Sequence, residues 1–151
     1  MRGRRALVIT RLAVHRERFV SDTANCIFCA IISGKISSPI LDQNSEVAVF
    51  LSLENHPLIV TRTHVADIFS MSAEQGAAVM NEAIKIAKAM RIGLAPDGIY
   101  LGQANGEAAG QEVPHYHLHL YPKWNDGRLP GTDDASKRAT FEALKKALAK
   151  V

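Results

Sequence analysis

The chain has 151 residues, of which 47% are hydrophobic and 22% are charged, as in one ordinary globular domain. No apolar run approaches the roughly 18–20 residues that a membrane-spanning helix needs, so we expect no membrane partner. The formal net charge is +3, but residues 1–18 alone hold six Arg and one Glu. The rest carries 12 basic and 14 acidic side chains, so we expect no nucleic-acid partner either.

The basic N-terminal segment, residues 1–21, is interpreted as a flexible extension of a domain that spans residues 22–151. It is poor in acidic residues and loosely amphipathic, so an Arg-rich targeting segment is the alternative interpretation. It lacks the apolar run and the small-residue cleavage site of a secretory signal. The sequence therefore predicts a cytoplasmic protein.

Short strands and turns are expected in the first half of the chain. Residues 26–32 (CIFCAII) have the pattern of a short buried turn or helix that ends at Ser33-Gly34. Residues 46–53 are rich in β-forming side chains, and residues 56–61 follow after a short turn. The two segments are predicted to be antiparallel neighbours.

The second half of the chain begins with a helix and returns to strands. Ser72 and Gln75 form a capping box, helical apolar spacing follows, and Gly93 and Pro96 end the helix. Strands are predicted near residues 98–104 and 115–121, and an amphipathic helix over residues 135–150. This order predicts an α+β domain whose antiparallel sheet has about five strands, with one long helix and one C-terminal helix.

Residues 110–122 (GQEVPHYHLHLYP) carry three alternating histidines: His115, His117 and His119. On a strand, alternate side chains point to one face, roughly 6.5–7 Å apart. A neutral imidazole is a good nucleophile near pH 7, and it can attack phosphorus to give a phosphoramidate. The same triplet also suits a catalytic metal site, and from the triplet alone both interpretations stay open.

Cys26 and Cys29, spaced C-x-x-C, are the two cysteines of the chain. The spacing fits a metal site or a redox pair, and two buried thiols are the simpler alternative. A redox pair is disfavoured because no βαβ pattern follows.

Several motifs together resemble the histidine triad family. The signature H-φ-H-φ-H-φ-φ, where φ is apolar, is present as HYHLHLY from His115 to Tyr121. The preceding residues 105–113 (NGEAAGQEV) and the opening residues 26–36 (CIFCAIISGKI) also match family motifs. The resemblance covers residues 26–124 and implies a fold of the histidine triad type, nucleotide binding and a homodimer formed across the long helix.

The resemblance also implies roles for individual residues. His117 would be the nucleophile that takes the nucleotidyl group, while His119 would bind the reacting phosphate and His56 would support it. The other catalytic histidine would be His115. Contacts to the nucleotide, expected to be a purine nucleotide, would come from Asn105 and Gln111 at the phosphate, Phe28 and Ile32 under the base, and Ser52. A structural zinc ion would be held by Cys26, Cys29, His64 and His115, and the chemistry itself would need no cofactor.

Two positions depart from the family pattern. Ser52 stands where many members have an Asp that binds the ribose hydroxyls, and a serine cannot make that bidentate contact. Glu112 stands where Ser or Thr is frequent, and a carboxylate pointing inward would repel an anionic substrate. Both departures bear on how the substrate is recognised.

The sequence thus predicts a nucleotide phosphoramidase or dinucleoside polyphosphate hydrolase that acts at the α-phosphorus through a nucleotidyl-His117 intermediate. A nucleotidyltransferase or phosphorylase of the same superfamily is the nearest enzymatic alternative. His119 argues against it, because the uridylyltransferase branch has Gln at that position. A non-catalytic nucleotide-binding module and a catalytic metal site on the triplet are the remaining alternatives.

Overall fold

A computed structural model of the chain describes residues 23–151, so the predicted N-terminal extension lies outside the described residues. In chain order the helices and strands are α1 (Ile27–Ile32), β1 (Ile40–Gln43), β2 (Val47–Leu51), β3 (Pro57–Thr61), α2 (Ala73–Gly93), β4 (Gly98–Gly102), β5 (His117–Lys123) and α3 (Asp134–Leu148). Within this part of the chain, no helix is long and apolar enough to cross a membrane.

The strands form one antiparallel sheet in the order β1-β2-β3-β5-β4. The α+β class and the five-stranded sheet are therefore confirmed. Among the five strands, β1 was not predicted from the sequence. It has only four residues, and Asp42 and Gln43 give it a polar second half, so it lacks a clear period-2 apolar pattern.

The two longer helices pack on one face of the sheet. Ser72 caps α2, and both halves of the predicted capping box with Gln75 are present. Asp133 caps α3 by accepting a hydrogen bond from the backbone N–H of Ser136. The core between helices and sheet includes Val47, Val49, Ile59, Ile86, Met90, Tyr116, Leu118, Leu120 and Leu144.

The short helix α1 packs on the opposite face of the sheet. Its N-cap is Cys26, whose sulfur accepts a hydrogen bond from the backbone N–H of Cys29 at 3.5 Å. A second apolar cluster joins α1 to the sheet: Cys26, Phe28, Phe50, Leu58 and Val60. This face therefore carries one short helix and leaves room for a cavity beside it.

A tight turn joins β2 to β3. Asn55 adopts a positive φ of 61°, and its side-chain amide donates to the carbonyl of Gly131 at 2.7 Å and to the Thr140 hydroxyl at 3.0 Å. The turn is closed by the backbone N–H of Ser52, which donates to the carbonyl of His56 at 2.8 Å. The α3 region therefore fixes the turn, and the turn places Ser52 next to His56.

Strand β5 begins two residues later than the predicted start at His115. The backbone N–H of His115 donates to the carbonyl of Val113, which closes a turn over Pro114. The N–H of Tyr116 then donates to the carbonyl of Val65, outside the strand pairing. The alternation of side chains nevertheless continues through this segment, because Tyr116, Leu118 and Leu120 all enter the main core.

Candidate active site

His117 is held in one tautomer by the backbone. Its Nδ1–H donates to the carbonyl oxygen of His115 at 2.7 Å, which leaves the lone pair on Nε2. Burial lowers the pKa of His117, although the bond to His115 and the nearby Glu112 carboxylate act in the opposite direction. The imidazole is therefore neutral at pH 7, and Nε2 is its free nucleophilic atom.

His56 and His119 form a direct imidazole pair. Nε2 of His56 lies 2.8 Å from Nδ1 of His119. His56 directly precedes β3, and His119 lies on the neighbouring strand β5. Burial, followed by the charges of His119 and Lys123, lowers the pKa of His56 to about 4. Burial, with a smaller effect of His117, lowers that of His119 to about 4. In the absence of an anionic ligand the pair is neutral at pH 7.

Ser52 forms hydrogen bonds with His56 of this pair. Its Oγ lies 3.1 Å from Nδ1 of His56 and accepts the backbone N–H of His56 at 3.2 Å. The carboxylate of Glu54 lies 3.8 Å from the same Nδ1. Ser52, His56 and His119 thus make a continuous chain of hydrogen bonds that ends at the cavity.

A cavity of about 860 Å³ lies beside His117 and His119. It runs from α1 across the sheet to β4, and both His117 and His119 lie in its wall. Its volume is near the upper end of the roughly 300–1,000 Å³ found for small-molecule pockets. Further lining residues are Ile27, Phe28, Ile31, Phe50, Ser52, Leu53, Leu58, Tyr100, Gly102, Gly110, Glu112 and Tyr121.

Phe28, Ser52 and Ile32 were the residues expected at the nucleoside. Phe28 and Ser52 line the cavity, and the Phe28 ring lies 5.0 Å from the His117 ring. Ile32 packs against the α1 cluster, and its neighbour Ile31 lines the cavity instead. The Ser52 hydroxyl already contacts His56, so any contact it makes to a ribose has to be shared with that histidine.

The two amides expected at the phosphate hold the loop that precedes the histidines. Gln111 is buried, and its amide donates to the carbonyl of Ala66 at 2.6 Å and accepts the N–H of Gly106 at 2.7 Å. Asn105 accepts the backbone N–H of Ile68 at 2.7 Å. Neither side chain belongs to the cavity wall within residues 23–151. Their direct contact with phosphate stays a prediction, while their role in closing the loop is observed.

Glu112 lines the cavity and is exposed. Its carboxylate raises the pKa of His117 against the effect of burial. A negative charge therefore lies near His117. The repulsion of an anionic substrate that an inward-pointing carboxylate would cause stays a prediction.

A cluster of two cysteines and two histidines lies at the start of α1: Cys26, Cys29, His64 and His115. Their four ligand atoms are all within 4.8 Å of one another. Nδ1 of His115 is 3.3 Å from Sγ of Cys26 and 3.6 Å from Sγ of Cys29, and Nδ1 of His64 is 3.2 Å from Sγ of Cys29. A tetrahedral zinc ion with its usual bond lengths needs sulfur–nitrogen distances of about 3.5 Å. The donor set and its spacing therefore fit zinc.

His115 belongs to this cluster and is fully buried. Its Nε2–H donates to the carbonyl of Thr61 at 2.7 Å, which directs the Nδ1 lone pair at the two sulfurs. Its side chain is absent from the cavity wall of the described residues. The catalytic role expected of His115 stays a prediction, while the hydrogen bond from its backbone carbonyl to His117 is observed.

The sequence analysis did not single out three residues that the structure places at or behind the candidate site: Thr61, Tyr100 and Tyr121. The carbonyl of Thr61 orients His115, and the two tyrosines line the cavity beyond His119. Tyr121 continues the same alternation as His117 and His119, so the period of the strand placed it on this face. A backbone contact such as that of Thr61 leaves no signal in the type of side chain.

Known proteins resemble this chain in both sequence and fold. A family model described as HIT domain matches residues 35–126. A Bacillus subtilis relative named Protein hit is 36% identical over 107 residues, 68% of this chain and 74% of that protein. An adenosine 5'-monophosphoramidase of Saccharomyces cerevisiae is 38% identical over 104 residues, 66% of this chain and 63% of that protein. A zinc-bound histidine triad family protein of Mycobacterium smegmatis superposes with a TM-score of 0.77 at 30% identity, covering 85% of this chain and 96% of that one. The chain belongs to the HIT family.

Proposed function

We propose that the protein hydrolyses purine nucleotide phosphoramidates or dinucleoside polyphosphates at the α-phosphorus, through a nucleotidyl-His117 intermediate. The observation that carries this proposal is the hydrogen bond from His117 Nδ1–H to the His115 carbonyl. It leaves a neutral Nε2 in the wall of a cavity that also contains His119. The name of the yeast relative, an adenosine 5'-monophosphoramidase, supports the same class of reaction.

The first step forms a bond between His117 Nε2 and phosphorus and breaks the bond to the leaving amine or phosphate. The leaving group takes a proton from the His56–His119 pair. That pair is neutral in the free protein, but a bound anionic phosphate raises the pKa of both imidazoles. Protonated, the pair also stabilises the charge that develops on the phosphoryl oxygens.

The second step returns the protein to its starting state. Water attacks phosphorus, the bond between phosphorus and Nε2 breaks, and the proton that water releases goes back to the His56–His119 pair. Nucleoside monophosphate leaves. The hydrogen bond to the His115 carbonyl holds the His117 ring in place through both steps.

The apolar end of the cavity suits the nucleobase. Phe28 presents an aromatic ring beside His117, and Ile27, Ile31 and Leu58 surround it. Gln111 and Asn105 act on the phosphate through the loop that they close, whose Gly110 backbone lines the cavity. Ser52 positions His56 and meets the ribose side of the substrate.

The Cys/His cluster is assigned to a structural zinc ion held by Cys26, Cys29, His64 and His115. Two thiolates and two imidazoles complete a tetrahedral set, which leaves no open position for catalysis. When bound, zinc stabilises the attachment of α1 to the sheet. Thiol ligands persist in reducing compartments, which supports a cytoplasmic location.

A homodimer is the proposed assembly. Strand β4 is at one edge of the sheet, where Leu101 is exposed and lies outside the cavity wall of the described residues. The outer side of α2 exposes Met80 and Ile84. Exposed apolar residues on an edge strand and on a long helix are typical of surfaces that another chain covers.

Intact-protein mass spectrometry after brief mixing with an adenosine phosphoramidate tests the mechanism. Wild type is expected to gain the mass of one adenylyl group, and His117→Ala is expected to gain none and to lose at least about 10⁴-fold in turnover. His119→Ala serves as the matched histidine control, which retains the nucleophile. Turnover by His117→Ala at the wild-type rate would overturn the mechanism, and nucleotide binding without adduct or turnover would leave a binding module.

A further inference from the structure

An aromatic row continues past the reacting histidines toward the edge of the sheet. The Tyr121 ring stacks on the His119 ring at a centroid distance of 5.2 Å and an interplanar angle of 6°. Tyr100 follows at 5.8 Å from Tyr121. Phe28 begins the row on the other side of His117. The reacting histidines therefore lie between two aromatic surfaces of one cavity.

Gly102 keeps the floor beside His119 open. It is directly opposite His119 in the pairing of β4 with β5 and lines the cavity. A Cβ at this position would lie 3.0 Å from Cε1 of Tyr100 and 3.3 Å from Cε2 of Tyr121. Both rings thus lie close against Gly102, and a side chain at this position would displace them.

The end of the cavity that Tyr100 and Tyr121 line has apolar surface and favours neither a positively nor a negatively charged ligand. Tyr100 is 59% exposed, and Leu53 at the rim is 86% exposed. Lys123 Nζ lies 5.5 Å from the centre of the Tyr121 ring, and the Glu54 carboxylate in the cavity wall also acts on Tyr121. Charges of both signs are therefore near the ring, so shape and aromatic character dominate recognition at this end.

We propose that Tyr100, Gly102 and Tyr121 form a subsite for a planar aromatic ring carried by the leaving group. The inference rests on the proposed function, which assigns the Phe28 end of the cavity to the nucleobase and His117 to the reacting phosphorus. The leaving group then departs past His119 toward the tyrosines. Its ring comes either from an aryl-alkyl amine or from the second nucleoside of a dinucleoside polyphosphate.

Two phosphoramidates of adenosine monophosphate test the subsite, one made with phenethylamine and one with cyclohexylethylamine. The two amines are similar in size and basicity and differ in the aromatic ring. Wild type is expected to favour the phenethyl compound by about threefold to tenfold in kcat/KM, the usual range for one aromatic contact. Tyr121→Leu is expected to bring the ratio to about 1, whereas Tyr121→Phe keeps it.

Further variants separate the subsite from a general effect on folding. Tyr100→Leu changes an exposed side chain and is also expected to lower the ratio. Phe69→Leu removes an aromatic ring that is 83% exposed and lies outside the cavity wall of the described residues, so the ratio should stay at the wild-type value. Equal kcat/KM for the two compounds with wild type, or an unchanged ratio in both tyrosine-to-leucine variants, overturns the subsite.

The two sources of the ring, and the proposed function itself, are tested separately. Turnover of diadenosine triphosphate and of the unsubstituted phosphoramidate is compared between wild type and Tyr121→Leu. If the variant loses more turnover with diadenosine triphosphate, the ring belongs to the second nucleoside. If both substrates lose turnover equally and the phenethyl preference holds, the ring belongs to the amine. If no compound is hydrolysed, the proposed function fails. The subsite is then tested by calorimetric binding of the two substituted phosphoramidates to wild type. Tighter binding of the phenethyl compound by threefold or more supports the subsite, while equal or absent binding overturns it.

Discussion

Single contacts set the proton positions on the histidines of this site. His117 is fixed by the carbonyl of His115, and His115 in turn by the carbonyl of Thr61. A backbone carbonyl only accepts a hydrogen bond, so each ring nitrogen that faces one must carry the proton. His56 differs, because Ser52 and His119 both donate and accept. The proposed nucleophile therefore has a fixed tautomer, whereas the proposed proton-carrying pair does not.

Ser52→Ala is expected to lower kcat/KM by about fivefold to tenfold, because His56 loses a hydrogen-bond partner worth about 1 kcal/mol. Ser52→Thr keeps the hydroxyl and should retain most of the activity. Steady-state kinetics with an adenosine phosphoramidate measure the effect. Ser38→Ala, another serine of the cavity wall, is the control. An equal response of Ser52→Ala and Ser38→Ala would show that the contact to His56 does not contribute.

The sequence predicted the residues whose position depends only on strand alternation. His117 and His119 share one face of β5, and Leu118 and Leu120 share the other, as the period of two requires. Strand alternation could not predict where the side-chain amide of Gln111 points. That direction depends on how residues 106–113 fold back on Ala66, which is a long-range contact.

At the scale of elements, α1 depends on the cluster beneath it more than on its own length. The helix has six residues, too few for independent stability, and Phe28 is its one buried residue. Its N-cap is Cys26, which also belongs to the Cys/His cluster. The same residue therefore caps the helix and connects it to the sheet.

Cys26→Ser separates these two contributions, because serine is a good N-cap but a poor zinc ligand. The variant is expected to bind less zinc and to have a Tm lower by about 5 °C, since a loss of 2 kcal/mol shifts Tm by roughly 4–8 °C at this size. Metal analysis and thermal unfolding measure both quantities. Chelator-treated wild type should resemble the variant. Equal Tm values with and without zinc in wild type would contradict the assignment.

The predicted elements were most accurate where capping and periodicity agreed. Ser72 and Gln75 fixed the start of α2, and the structure begins the helix at Ala73. The predicted start of β5 at His115 was two residues too early, because HYHLH continues an alternation through a turn that Pro114 and the Val65 carbonyl impose. A local period describes side-chain direction better than it describes strand pairing.

For the whole molecule, the buried histidines predict that acid destabilises the fold. His56 and His119 have native pKa values of about 4, whereas an unfolded histidine titrates near 6.5. Between these values the unfolded state binds more protons than the native state, so stability falls as the pH falls from about 6.5 to about 4. Above about 6.5 this contribution is fully present.

Urea unfolding between pH 7.5 and pH 4.5 measures this dependence. Chelator-treated protein should be used throughout, so that acid release of a bound metal does not add to the slope. His119→Gln should reduce the slope, since one titrating group is gone. A free energy of unfolding that stays constant or rises toward acid pH would contradict the native pKa values.

The proposed dimer makes a separate prediction at this scale. Ile84→Glu places a charge on the exposed apolar side of α2 and is expected to give a monomer, because burying an unpaired charge in an interface costs several kcal/mol. Sedimentation velocity measures the state. Leu129→Glu, another exposed apolar position outside α2 and β4, should leave the dimer intact. A monomeric wild type would refute the assembly.

His115 has a consequence for how such a protein can change over time. Its side chain belongs to the Cys/His cluster, while its backbone carbonyl accepts the hydrogen bond that orients His117, the proposed nucleophile. A mutation that displaces His115 is therefore also expected to disturb His117, even if the mutated residue never touches the substrate. Selection for activity and selection for stability therefore both act on His115, so a substitution at this residue is expected to change both properties at once.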